Sequence, residues 1–169
     1  EREDWNYSPG DSIKIFDSQF GKFAIQICYD IEFPEVSRIL ALHGVEVIFV
    51  PFFTRDLFGY HRVRYCAQAR AVENYLYTVI SGSFGSQNLP YDLSCYSQSA
   101  ILTPSDIGFP QNAIAAESSA AEETVIAADL NMEYLQKIRN SGTVRPLMDR
   151  RPEMYSLESK STIEIIKVE

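Results

Sequence analysis

Residues 22–35 read KFAIQICYDIEFPE, and the fold turns on how that stretch is parsed. Phe23, Ala24, Ile25 and Ile27 form an apolar run that reads as a buried strand. The grammar then changes within two residues. Cys28 closes the strand, Tyr29 and Asp30 follow, and Phe33-Pro34-Glu35 reads as a helix start, with proline in the first turn and an acid at the positive end of the helix dipole. A thiol at a strand-to-helix turn has two readings. It is a place to mount a nucleophile above a sheet edge, with backbone N–H groups beside it. It is also a place where a small buried residue is unremarkable.

Upstream, the Pro-Gly of YSPGD (Tyr7 to Asp11) marks a turn, and SIKIFDS alternates so that Ile13 and Ile15 share one side of a strand. Downstream, a helix is expected from Pro34 to His43, with Val36, Ile39, Leu40 and Leu42 as its apolar stripe and Gly44 as its cap. Val45 to Val50 reads as a strand stopped by Pro51. Residues 60–76, YHRVRYCAQARAVENYL, read as a helix whose small residues permit close packing. YTVISGSF is another strand, and Gly85 to Tyr96 a loop. SQSAILTP and TVIAADL are further strands separated by a loop of mixed composition, and a helix runs from Met132 to Arg139. The terminal STIEIIKVE is an edge strand or an arm. Strands alternating with helices predict an α/β fold, its sheet covered on at least one face.

The bulk properties narrow the function. The chain has 169 residues and a net charge of -8, which argues against a nucleic-acid backbone or an anionic membrane as partner. No apolar run approaches the roughly 20 residues of a membrane span, and the opening EREDWNYSPG does not read as a signal peptide. The three cysteines, Cys28, Cys66 and Cys95, match no common zinc spacing, and two histidines are few for a metal site. No metal or cofactor is called for, and a reducing, cytoplasmic setting is expected.

A catalytic thiol needs a base, because a free thiol is mostly protonated at neutral pH. His43, at the far end of the first helix, lies roughly 15 Å from the turn. His61, at the start of the next helix, could be nearer. Asp30, Glu32 and Glu35 crowd the turn but are also routine at helix starts. Cys66 reads as core.

Several separate stretches resemble the nitrilase superfamily of carbon–nitrogen hydrolases. ICYDIEFPE resembles its nucleophile segment and GVEVIFVP the strand that follows. AQARAVENYLYTVISGSFG resembles its Arg-Ala-x-Glu-Asn helix and next strand, SQSAILTPSD a later strand and turn, and DRRPEMY the closing motif. The likeness runs from about Pro9 to Tyr155. The segments VPFFTRDLFGYHRVRYCAQARAVEN and GTVRPLMDRRPEMY resemble the branch in which the hydrolase follows an N-acetyltransferase domain.

The resemblance implies part of a four-layer α-β-β-α sandwich. It implies hydrolysis of a non-peptide carbon–nitrogen bond, in an amide more readily than a nitrile, through a cysteine thioester. Cys28 matches the nucleophile and Tyr29 the residue whose backbone N–H helps bind the oxyanion. Counting back from SPGD, Glu3 matches the auxiliary glutamate, with Glu1 as its neighbour. The general-base glutamate and the lysine lie further upstream in the family, and Lys14 and Lys22 are too close to Cys28 to be that lysine. Residues 1–155 are therefore expected to be the C-terminal portion of a hydrolase domain lacking its N-terminal half, and 156–169 a tail or edge strand. Phe53 and Thr54, at the end of the strand after the first helix, are candidate substrate contacts. Arg70, Glu73 and Asn74 read as structural.

The expected partners are a small-molecule amide or nitrile and further copies of the chain, through the helix that carries Val36 to Leu42. A half-sandwich should also expose an apolar sheet face. Two other readings stay open: a Cys–His amidotransferase-like enzyme using His61, and a non-catalytic remnant that keeps the fold.

Overall fold

The computed structural model describes residues 8–86, 94–120 and 122–168; Glu1 and Glu3 lie outside them. Nine strands are found among the described residues: β1 (Ser12–Ser18), β2 (Gly21–Ile25), β3 (Val47–Phe52), β4 (Tyr77–Gly82), β5 (Gly85–Ser86), β6 (Ser94–Cys95), β7 (Ala100–Leu102), β8 (Ile114–Glu117) and β9 (Thr162–Val168). Three α-helices join them: α1 (Pro34–Leu42), α2 (Leu57–Asn74) and α3 (Met132–Ser141). Seven strands make one mixed sheet in the order β8-β7-β4-β3-β2-β1-β9, and β5 and β6 pair separately. The centre, β2-β3-β4, is parallel, as strands joined by crossover helices must be. The α/β expectation holds.

Helix boundaries follow the local chemistry. Pro34 opens α1 and Glu35 occupies its first turn. The Asp56 side chain caps α2 by accepting from the Gly59 amide at 2.8 Å, and Tyr75 ends it in a left-handed conformation, φ +48°. Asn131 caps α3 through the Tyr134 amide at 2.8 Å. The inner face of α1 differs from the expected stripe. Ile39, Leu40 and Ala41 are buried, but so is Ser37, while Leu42 is exposed.

Four strand expectations are corrected. The third strand runs through Pro51 rather than stopping at it. Phe49 bonds to the β2 side through Gln26, and Phe52 to the β4 side. Pro51 therefore points its missing N–H to the β2 side, where β2 has already left the sheet. TVIAADL forms no strand, and Val125 within it is exposed. The strand in that region is β8, read as loop because Ile-Ala-Ala-Glu is short and lacks alternation. Within the 85–96 loop, β5 and β6 pair. The C-terminal alternative resolves as an edge strand, β9 beside β1 in parallel.

The core lies between one sheet face and helices α1 and α2. Ile15, Ala24, Ile48, Val50, Ile80 and Leu102 meet Leu40, Val63, Ala67 and Ala71 there; a fully buried aliphatic side chain of this kind contributes about 1.5–3 kcal/mol. On the other face, α3 covers Val47 and Tyr77 through Leu135. The rest of that face is an aromatic row, Phe16 stacked on Phe23 and Phe23 edge-on to Phe49. Ile25 and Phe49 there are 49% and 40% exposed.

Candidate active site

Cys28 stands where β2 leaves the sheet, as the first residue of a 3-10 turn, Cys28–Glu32, that leads through Phe33 into α1. Its φ is +48°, a left-handed conformation that a non-glycine residue holds only when its surroundings over-determine it. Two polar side chains brace the approach. The Asp30 carboxylate accepts from the Ile27 amide at 2.9 Å, and the Asp30 amide donates to the Ile27 carbonyl at 2.9 Å. The Gln26 side chain donates to the Asp30 carbonyl at 3.2 Å and accepts from the buried Ser37 hydroxyl at 2.6 Å. Asp30 therefore acts on the turn's own backbone and not, as a carboxylate there could, on a nearby arginine.

The half-buried thiol of Cys28 donates weakly to the Phe53 carbonyl at 3.6 Å. The amides of Cys28 and Tyr29, at the start of the turn, have no acceptor within it. Phe53 is exposed, as is Tyr29, whose ring meets Phe33 edge-on. Thr54 is buried and committed: its hydroxyl donates to the Tyr96 carbonyl at 2.8 Å, and its carbonyl accepts from the Tyr96 amide. Of this pair, Phe53 is exposed and Thr54 is not. The structure thus brings Cys28, Tyr29 and Phe53 together, with Thr54 behind them.

Neither histidine joins this group. The His43 ring nitrogen Nδ1 lies 2.8 Å from the Ile39 carbonyl in its own helix. The His61 ring is stacked on Tyr65 and tilted against Tyr60. Cys66 behaves as core: burial pushes its thiol up, with Arg70 only partly opposing the shift. Cys95 is buried against the Gly85 carbonyl. A cavity of about 500 Å³ lies elsewhere, between the start of α1 and the C-terminal segment, bounded by Arg38, Glu73, Arg150 and Tyr155. Among the described residues, no cluster of three or more His, Cys, Asp and Glu side chains could hold a metal, and no helix is long and apolar enough to cross a membrane.

Sequence reasoning missed Gln26 and Ser37, polar residues in apolar surroundings, and the part played by Arg70. Besides pairing with Glu73 at i, i+3, as expected, Arg70 donates to the Ile31 and Glu32 carbonyls at 3.1 and 3.0 Å. Asn74 bonds back to the Arg70 carbonyl at the end of α2.

A family model described as carbon–nitrogen hydrolase matches residues 1–140. The chain belongs to the carbon–nitrogen hydrolase family. It is 50% identical over 163 residues to the "Probable hydrolase YhcX" of Bacillus subtilis, covering 95% of this chain and 31% of that protein. It is 30% identical over 159 residues to the omega-amidase NIT2 of Xenopus tropicalis, covering 94% of this chain and 54% of the relative. The fold matches that of Saccharomyces cerevisiae Nit3, a member of branch 10 of the nitrilase superfamily, with a TM-score of 0.65 at 28% identity, over 79% of this chain and 46% of Nit3. The chain thus spans about a third to a half of the length of these relatives.

Proposed function

We propose that this chain carries the nucleophile of a cysteine-dependent hydrolase that acts on small-molecule amides. The observation that supports this most is the left-handed backbone at Cys28, braced by Gln26 and Asp30 at the top of a parallel strand. In this reading the Cys28 sulfur attacks the amide carbonyl carbon as its proton passes to a general base. The oxyanion accepts from the Tyr29 backbone N–H. The tetrahedral adduct expels ammonia or an amine, which takes up the proton, and leaves a thioester on Cys28. Water then attacks the thioester and releases the carboxylic acid and the thiol.

The resemblance assigns the base to a glutamate and the oxyanion's cation to a lysine, both upstream of Glu1, and the auxiliary carboxylate to Glu3. Residues 1–155 are then the C-terminal portion of the hydrolase domain, and 156–169 an appended edge strand. The exposed Ile25 and Phe49 face supports a covering layer supplied by the remainder of that domain. The same resemblance extends the proposal to an N-acetyltransferase domain on one polypeptide and to self-association through α1. The omega-amidase name of a relative favours amide over nitrile. The test is ammonia release from a panel of small primary amides by the whole protein. Cys28→Ala abolishes it and Cys66→Ala does not; retained hydrolysis in Cys28→Ala refutes the reading.

A further inference from the structure

Arg70 is 6% exposed on α2, and its guanidinium reaches across to the segment just after Cys28. Nε donates to the Ile31 carbonyl at 3.1 Å and Nη2 to the Glu32 carbonyl at 3.0 Å, while Nη1 lies 3.2 Å from the Glu73 carboxylate. We propose, on the reading of Cys28 as nucleophile, that Arg70 is a positioning residue for the reaction: its fork fixes the end of the 28–32 turn and thereby holds Cys28 in the left-handed conformation that presents its thiol.

The geometry supports this over a plain helix pair. Ile31 and Glu32 are the last two residues of the turn, where a five-residue turn leaves its carbonyls without partners. One planar group takes both, in parallel, which a lysine ammonium on a flexible stem does not reproduce. Ile31 is itself fully buried, so side-chain packing and the fork fix the same point. Gln26 and Asp30 brace the turn in front of Cys28 and Arg70 braces it behind. The unfavourable φ at Cys28 is then held from both sides, as a strained residue requires. An i, i+3 ion pair alone would not need a buried arginine, because such pairs work at the surface and are weak there.

The test is the rate at which iodoacetamide alkylates Cys28 in the full protein, read peptide by peptide, with the buried Cys95 as internal reporter of general opening. Arg70→Lys is expected to slow Cys28 by about tenfold or more, the scale on which small misplacements act, while the Cys95 rate stays at the wild-type value. Low-millimolar guanidinium is expected to restore Cys28 in Arg70→Ala. Glu73→Gln, which keeps the fork on the two carbonyls, is expected to stay near the wild-type rate; it remains informative where the arginine variants fail to fold. An unchanged Cys28 rate in folded Arg70→Lys overturns the proposal. So does a loss of about tenfold in Glu73→Gln, which would place the effect in the ion pair. Wild-type Cys28 reacting no faster than Cys95 would instead refute the nucleophile reading itself, and the proposal with it.

Discussion

Gln26→Leu removes one amide two residues before Cys28 and leaves the side-chain volume nearly unchanged. Its consequences can be worked from two contacts. The Ser37 hydroxyl, fully buried, donates to Gln26 at 2.6 Å; without that acceptor a buried donor is left unpaired, which costs about 1–3 kcal/mol. The Asp30 carbonyl loses the Gln26 donor at 3.2 Å but keeps the Phe33 amide at 3.3 Å, so its loss is about 0.5–1 kcal/mol. The sum is about 1.5–4 kcal/mol, which displaces a urea midpoint by about 1–2 M at a slope of about 2 kcal/mol/M. The double variant Gln26→Leu/Ser37→Ala removes the orphaned hydroxyl as well. It should recover about 1–2 kcal/mol, because taking away both partners of a buried bond costs less than taking one. Urea unfolding followed by circular dichroism measures all three variants. Additive losses would refute the reasoning, since they would mean the Ser37 hydroxyl finds another acceptor, such as a carbonyl one turn back in α1.

Asp106 accepts from the Tyr75 hydroxyl at 2.7 Å and from the Thr143 hydroxyl and amide at 2.6 and 2.9 Å. Burial pushes its carboxyl up, but these bonds and the Ile107 amide outweigh it and hold the group at about 2. A lowered carboxyl stabilises the fold above the ordinary aspartate range, and that contribution is lost as pH falls from about 4 toward 2. Thermal midpoints of wild type should therefore fall more steeply over that window than those of Asp106→Asn; parallel curves would contradict the assignment. Ile25→Lys with Phe49→Lys should make the isolated 169-residue chain more monodisperse by light scattering, and no change would argue that the exposed sheet face does not drive association. His61→Ala should leave amide hydrolysis nearly intact, whereas a near-total loss would revive a Cys–His mechanism.

What the sequence made legible was what local chemistry controls. The switch from Phe23–Ile27 to Pro34-Glu35 located the turn and the helix, because proline and a first-turn acid act within a few residues, whereas β2 ends at Ile25 and Ile27 lies exposed beyond it. The same switch placed Cys28 at the start of the turn. Less legible were features that need a partner distant along the chain. Nothing near Arg70 shows that its fork closes on Ile31 and Glu32, 39 and 38 positions away. Ser37, a polar residue on the inner face of α1, is explained only by Gln26, which supplies its acceptor. TVIAADL has a strand's composition, but composition cannot say whether a neighbouring strand is there to pair with it. Pro51 was misread for the related reason that a proline stops a strand only where its missing N–H faces a partner. Thr54 was singled out beside Phe53 by position alone, and only the Tyr96 contact separates a committed hydroxyl from an open neighbour.

The claim that matters most is that Cys28 forms the covalent intermediate. The direct test is peptide mass spectrometry of the whole protein, quenched in acid during turnover of a small amide. The account predicts the acyl mass on the Cys28 peptide, released by hydroxylamine as a thioester is. Turnover with no adduct on that peptide, or with the acyl group on Cys66 or Cys95, would contradict it.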